Sequence, residues 1–321
     1  MRDLRQRIVR LGPFVGLLFV VAFFALASGA PDRYLSANNL RVVLAQTVIV
    51  AIGAIGMTLV IVGGGIDLSV GSTIALTGVL CAGLLRDGSS PSAAVLAAVL
   101  TGGVVGLVNA LAITRLRVVP FIATLGMLGV ARGTAKWMAR QTTVNPPPTW
   151  VNELAVTVPP VPWMLFAAGV WIALALAVLM AFVLRRTVFG RRVFALGSNE
   201  AAARACGIDT DRLKLAIYGV AGLFFGLAGV MQMSRLRQGD PTVAAGTELD
   251  VIAAVVIGGG SLNGGEGSIL GSMVGALVMA FLRNGSQQMG WPTYVQEILI
   301  GVIIVAAVAL DRWRHAKGDG E

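Results

Sequence analysis

The chain has 321 residues, 56% hydrophobic and 13% charged, with a formal net charge of +9 and a mean hydropathy of +0.81. A composition this apolar leaves too little polar surface for a water-soluble globule and marks an integral membrane protein. One histidine, His315, and two cysteines, Cys81 and Cys206, exclude a His-based metal centre and a Ser/His nucleophile pair within the chain, and no Walker-type phosphate-binding loop occurs.

A crossing helix needs about 20 apolar residues. Ten runs of about that size follow one another, at residues 11–28, 40–62, 69–85, 92–113, 119–138, 163–184, 213–233, 248–260, 268–282 and 294–310, the third, eighth and ninth being short. The expected fold is all-α: one polytopic transmembrane domain over residues 1–321, with some short or broken helices and both termini cytoplasmic. The first run follows Arg2, Arg5, Arg7 and Arg10 but lacks a clear small-residue cleavage pattern, so it is read as a retained helix.

Charge placement supports an even number of crossings. With the amino terminus inside, the inner segments hold Arg2, Arg5, Arg7, Arg10, Arg115, Arg117, Arg185, Arg186, Arg191, Arg192, Arg204, Arg212, Lys214, Arg312, Arg314 and Lys317. The outer loops hold Arg33, Arg86, Arg140, Arg235, Arg237 and Arg283. The positive charge thus reflects topology and anionic lipid, and calls for no nucleic acid.

Two glycine-rich breaks interrupt the apolar runs. The first runs from Gly63 to Ser72 and holds Gly63, Gly64, Gly65, Asp67 and Ser69; the second runs from Gly258 to Ser268 and holds Gly258, Gly259, Gly260 and Asn263. Backbone that leaves the helix inside a membrane survives where it is buried in protein or lines a wet cavity, so the pair points to a transport pathway or gate. Asp67 either caps a half-helix starting near Leu68 or faces the pathway. Aligned at an offset of about 195 residues with one gap, the breaks read as a parallel repeat, both descending from the outside.

Between the sixth and seventh runs, residues 185–214 form the most polar inner stretch. Within it Asn199, Glu200, Ala201, Ala202, Arg204 and Gly207 read as a helix of about two turns, with Asn199 as its N-cap and Gly207 closing it. So short a helix is marginal alone, which implies packing on headgroups or on a soluble partner. Thr210 and Asp211 are expected to open the next crossing. Cys206 lies in this loop and Cys81 within the third run, so no pairing is expected.

Polar residues inside the runs include Gln46, Asn109, Thr124, Arg132 and Lys136. Each needs a partner in the bundle or a cavity. Gln46, Asn109 and Thr124 are candidate pathway lining. Asn109 also follows Gly102, Gly103 and Gly106, a small-residue face that admits close helix approach. Lys136 is placed to snorkel outward, whereas the deeper Arg132 pairs inside.

The strings Ile61 to Ser72, Ala195 to Ala202 and Glu248 to Leu262 closely resemble the ribose-type permeases of bacterial ABC sugar importers, over essentially the whole chain outside its termini. The resemblance implies a multi-pass inner-membrane permease importing a monosaccharide by alternating access. It implies a second permease copy in a homodimer or heterodimer, a cytoplasmic ABC ATPase and a periplasmic sugar-binding protein. It also makes Asn199 to Gly207 a coupling helix seated on the ATPase. The chain itself would be non-catalytic and cofactor-free, ATP and Mg being bound by the ATPase. The alternative is an ion-coupled secondary transporter or a channel for a small polar solute, for which the sequence offers Asp67 as the one acid near mid-membrane.

Overall fold

The computed structural model describes residues 2–157 and 164–316. Trp163, where the sixth run begins, and Lys317 lie outside the described residues. The described chain is helical, with no named strand; an isolated antiparallel bridge joins Val144 to Gly239.

The elements in chain order are α1 (Arg2–Ala27), α2 (Pro31–Tyr34), α3 (Ala37–Val62), α4 (Val70–Arg86), α5 (Pro91–Thr114) and α6 (Pro120–Met138). After a short 3-10 turn (Trp150–Glu153) follow α7 (Ala168–Arg186), α8 (Val188–Ser198), α9 (Glu200–Ala205), α10 (Thr210–Leu236), α11 (Thr247–Ile257), α12 (Ile269–Gln288) and α13 (Thr293–Ala316). Among the described residues α3, α5, α7, α10 and α12 are long and apolar enough to cross a membrane, and α1, α4 and α13 carry shorter apolar stretches. Leu96, Leu100 and Leu111 of α5 and Phe121, Ile122 and Leu125 of α6 are exposed on the outside of the bundle, where lipid rather than water suits them.

The centre is built around α3 and α10. Buried side chains run along α3 from Val43 to Val62. On α10, Gly222 and Gly226 face Gly102 and Gly106 of α5. A methyl at Gly102 would lie 2.6 Å from Gly226 Cα, and one at Gly226 would lie 2.8 Å from the Val99 carbonyl. These paired small-xxx-small faces bring the two backbones together, where dispersion replaces the missing hydrophobic drive.

Two expectations change at the level of helix depth. At 1.5 Å per residue α3 is about 39 Å long, so it crosses fully before reaching the first glycine break. The break is therefore not midway along a span. From there residues 65–69 climb back up the bundle, and α4 begins beside Gly53, roughly 5 Å from the middle of α3: a methyl on Gly53 would lie 3.0 Å from Val251 Cγ2 and 3.9 Å from Val70 Cγ2. The same contact places the start of α11 at mid-depth. Residues 237–246, expected as an outer loop, descend from the end of α10 to that point, and α11 covers the remaining half as an 11-residue helix. So α4, about 26 Å long, and α11, about 17 Å long, start next to each other and run to opposite ends. The acids Glu248 and Asp250, expected near the surface, lie at mid-depth.

Three local boundaries also differ from expectation. Residues 188–198 form a separate helix, α8, opened by Thr187, whose hydroxyl accepts the Gly190 N–H. Asp209, not Thr210 or Asp211, caps α10 by accepting the Arg212 N–H. The first break ends at Ser69, not Ser72, because α4 starts at Val70, whereas the second runs to Ser268 as expected, which caps α12 through the Gly271 N–H. It is therefore four residues longer than the first, not one.

Candidate functional site

The two breaks close their helices in the same way. Gly64 N–H donates to the Ile61 carbonyl and Gly65 N–H to that of Val60, both at 2.9 Å; Gly259 N–H donates to Val256 and Gly260 N–H to Val255, both at 2.9 Å. Gly64 (φ +83°) and Gly259 (φ +89°) are left-handed. Each break is thus a Schellman closure in which glycine meets the positive φ without a Cβ penalty. Gly63 and Gly258 precede these positions, and Gly258 lies directly against Gly271 of α12.

Both breaks meet at the end of the bundle that carries α9. Gly265 N–H donates to the Val62 carbonyl at 2.9 Å. The last turn of α8 is wedged between them. A methyl on Gly197 would strike the Val62 carbonyl and lie 2.6 Å from Gly265 N, one on Gly264 would lie 2.7 Å from the Gly197 carbonyl and 2.8 Å from Gly64 Cα, and one on Gly265 would lie 2.9 Å from Ser198 Cα. Three glycine-lined backbones are in van der Waals contact there. Gly264 and Gly265 lie within the second break and Gly197 within the string Ala195 to Ala202, but none was marked as a site residue; the density of glycine on both sides was the available signal.

Beyond Gly197 the chain enters α9 directly. Asn199 Oδ1 accepts the Ala202 N–H at 2.9 Å, and Gly207 (φ +81°) ends the helix, its N–H donating to Arg204 and the next to Ala203. Ala201, Ala202 and Cys206 are exposed and Ala203 is buried. The Glu200 carboxylate turns back on its own chain, receiving Lys214 Nζ at 2.7 and 2.8 Å and Arg204 at 3.3 Å. Arg204 also donates to Thr210 Oγ1 at 2.7 Å. Partial burial pushes the Glu200 carboxyl up, but hydrogen bonding and charge from Lys214, then Arg204, outweigh it and hold the group below its usual range. Glu200 therefore ties α9 to the start of α10. The exposed face of α9 carries Ala201, Ala202 and Ala205.

Of the other candidates, Asp67, Ser69, Asn109 and Thr124 are gathered at the first break. Asp67, fully buried, does not cap the first turn of α4; its Oδ1 accepts the N–H and hydroxyl of Ser69 at 2.8 and 2.6 Å. Asn109 Nδ2 donates to Asp67 Oδ2 at 3.2 Å and to Ser69 Oγ at 3.0 Å, linking α5 to the break. The Thr124 hydroxyl donates to the Ile66 carbonyl at 3.3 Å. No Lys or Arg pairs with Asp67 among the described residues. Asn263 is exposed at the α9 end, and Gln46, half-buried on α3, lies roughly 24 Å along the helix from Val62. The sequence missed Tyr218 of α10, whose buried hydroxyl packs against Gly65. No group of three or more His, Cys, Asp or Glu able to hold a metal occurs among the described residues.

A family model described as a branched-chain amino acid transport system / permease component matches residues 39–308. The chain is 38% identical over 305 residues to the ribose import permease protein RbsC of Escherichia coli, covering 92% of each chain. It is 34% identical over 310 residues to the L-arabinose ABC transporter permease protein AraH of Azospirillum brasilense, covering 93% of this chain and 87% of that one. To the D-allose transport system permease protein AlsC of Escherichia coli it is 34% identical over 305 residues, covering 94% and 91%. No solved structure matches it. The chain belongs to this family of transport-system permease components, as a ribose-type permease of the ABC sugar-importer kind.

Proposed function

We propose that the protein is the transmembrane subunit of an ATP-driven importer that moves a monosaccharide, a ribose-like pentose or a hexose, across the bacterial inner membrane by alternating access. It receives the sugar from a periplasmic binding protein and works with a second permease copy. A separate cytoplasmic ATPase binds ATP and Mg and docks on the exposed alanine face of α9. In this reading both termini are cytoplasmic and ten helical segments lie within the membrane, with α4 and α11 each starting within its depth.

The observation that carries the reading is the wedge of Gly197 and Ser198 between the two glycine breaks. A displacement of α9 acts on α3, α4, α11 and α12 at once, because packed backbones with no side chains between them have no room to absorb it. Reconstitution with the ATPase and binding protein tests the proposal: D-ribose, L-arabinose or D-allose uptake into liposomes requires ATP and is stimulated by loaded binding protein. A second reading, ion-coupled transport, is favoured by the mid-depth acids Glu248 and Asp250. Uptake driven by an ion gradient without ATP would establish it in place of the first.

A further inference from the structure

The basic residues of the polar stretch 185–214 fall into two sets. In its second half each cation has an acid of its own chain: Arg204 pairs with Glu200 at 3.3 Å and Asp211 at 3.6 Å, Arg212 with Asp209 at 3.0 Å and Lys214 with Glu200 at 2.7 Å. In its first half Arg185, Arg186, Arg191 and Arg192 are all exposed. None of these four has an ion pair among the described residues.

The fold holds the four at one corner. Thr187 separates α7 from α8 in an extended conformation, its hydroxyl donating to the Val183 carbonyl at 2.7 Å and accepting the Gly190 N–H at 3.3 Å. Gly190 packs directly on the last turn of α7: a methyl there would strike the Leu184 carbonyl and lie 2.6 Å from Leu184 Cα. The start of α8 is thereby fixed against the end of α7. Like charges held this close repel one another, so anions from outside the chain would stabilise the corner.

A second, independent observation identifies the source of those anions. Along α7 the positions Trp171, Leu174, Val178 and Phe182 are each at least 46% exposed, and their spacing of three and four residues puts them on one face. On a helix that crosses a membrane, such a face meets lipid tails. Arg185 and Arg186 stand three and four residues beyond Phe182, so they continue that face past its apolar end. On α8, Gly190, Val193 and Leu196 are buried, while Val188, Arg191, Arg192 and Ala195 share the exposed side. A water-facing protein groove would suit the arginines but not Phe182 and Val188, which are 60% and 51% exposed. The boundary between tails and headgroups suits both.

We propose that the corner of α7 and α8 is a docking site for anionic phospholipid, with the headgroup phosphates received by Arg185, Arg186, Arg191 and Arg192 and the acyl chains lying along the Phe182 face of α7. Guanidinium groups match phosphate oxygens with paired donors. Because α8 ends in the Gly197 wedge between the two breaks, lipid held at its start also steadies that wedge. The effect on transport rests on the import reading; the binding does not.

The full-length permease in neutral detergent is titrated with phosphatidylglycerol or phosphatidylcholine, and bound lipid is counted by native mass spectrometry. An arginine at an anionic surface is worth about fivefold in affinity. Arg185→Gln with Arg186→Gln, or Arg191→Gln with Arg192→Gln, is therefore expected to weaken the tightest phosphatidylglycerol site roughly 25-fold and to leave phosphatidylcholine binding unchanged. Arg115→Gln with Arg117→Gln removes the same charge from exposed positions between α5 and α6 and should weaken that site far less. Lysine at all four corner positions keeps the charge and should keep most of the affinity, which separates charge from folding if a glutamine pair loses folded protein. In liposomes, uptake by the assembled importer rises as phosphatidylglycerol replaces phosphatidylcholine, and the glutamine pairs flatten that rise. Equal losses from the corner pairs and the Arg115 and Arg117 pair overturn the proposal, as do glutamine pairs that hold lipid like the parent but bind the ATPase more weakly. Displacement of the lipid by millimolar inorganic phosphate would assign the corner to a soluble anion and overturns it too. Lipid bound at the corner with no effect on uptake overturns the link to the wedge. Absence of ATP-dependent uptake by the parent complex is a different result: it removes the import reading, and the titration alone then decides the lipid site.

Discussion

If coupling passes through the backbone contact at Gly197, two alanine substitutions in the second break should behave differently although each adds one methyl group. Gly259 and Gly264 have nearly the same conformation, φ +89° and +86°, so each pays about 1–2 kcal/mol for a left-handed alanine. A methyl on Gly259 meets nothing within 4 Å, whereas one on Gly264 lies 2.7 Å from the Gly197 carbonyl and 2.8 Å from Gly64 Cα. Both neighbours are backbone and cannot rotate away, which adds an overpacking cost of about 1–3 kcal/mol. Gly259→Ala should therefore lose about 1–2 kcal/mol and Gly264→Ala about 2–5 kcal/mol. Thermal or denaturant unfolding in detergent reads the difference. Uptake and stimulated ATP hydrolysis, each normalised to folded protein, read the coupling. Gly259→Ala is expected to transport near the parent rate per folded molecule, while Gly264→Ala hydrolyses ATP but transports little. Equal stability losses with equal transport would refute the argument, as would failure of Gly259→Ala with a competent Gly264→Ala.

Glu200→Arg places a third cation beside Lys214 and Arg204, so α9 should detach from α10; intact membrane insertion with lost uptake and lost stimulation of the ATPase is expected, and normal uptake would remove α9 from the coupling path. Because the Glu200 carboxyl is held below its usual range, its contribution is present above the ordinary carboxylate value and is lost as pH falls through the lower folded value; stimulated hydrolysis should thus be insensitive to this group from pH 8 to 6, a profile that Glu200→Gln should share in shape but at reduced amplitude. Asp67→Ala strands the Ser69 N–H and the Asn109 amide in a buried site and should cost roughly 2 kcal/mol or more, whereas Asp67→Asn retains an acceptor and should cost less; denaturant unfolding checks the order. Cys206, exposed beside α9, should react with an impermeant thiol reagent from one face of the membrane and Asn145→Cys from the other; labelling of both from one face would break the proposed topology.

All ten apolar runs fall on helices, because a chain in lipid must satisfy its backbone within each segment and leaves a continuous apolar record of doing so. The short α9 was also legible, since Asn199 and Gly207 act locally at its two ends. Depth was not legible. Residues 237–246, with Gly239, Pro241 and Gly246, have the composition of an outer loop, yet they descend into the bundle because Arg132, more than one hundred positions earlier, supplies the donors for their carbonyls. The pairing of Asp250 with Arg283 spans 33 residues, so Asp250 reads from sequence as a surface acid. Likewise α8 was hidden by Arg191 and Arg192, which suggested a solvated link and not an amphipathic helix with Val193 and Leu196 buried.

The α9 end and the mid-depth start of α4 are joined by one short segment. Gly65 N–H returns to the Val60 carbonyl, and from the level of Val60 to that of Gly53 is about 11 Å along α3. The chain from Gly65 to Val70 must climb that distance, and five residues reach at most about 17 Å when fully extended. Asp67 fixes the middle of the climb by binding Ser69 and, through Asn109, anchors it to α5. The segment is not fully extended: Ser69 is helical and the Asp67 side chain closes a turn onto it, so these bonds hold its shape. Moving Gly197 against Gly64 then has two outlets: α4 shifts with it at Gly71, or the Asp67 to Asn109 bond breaks. The first outlet alters the contact of Gly71 with Ala244 and Glu248, so a change at the α9 end is delivered to the mid-depth starts of α4 and α11.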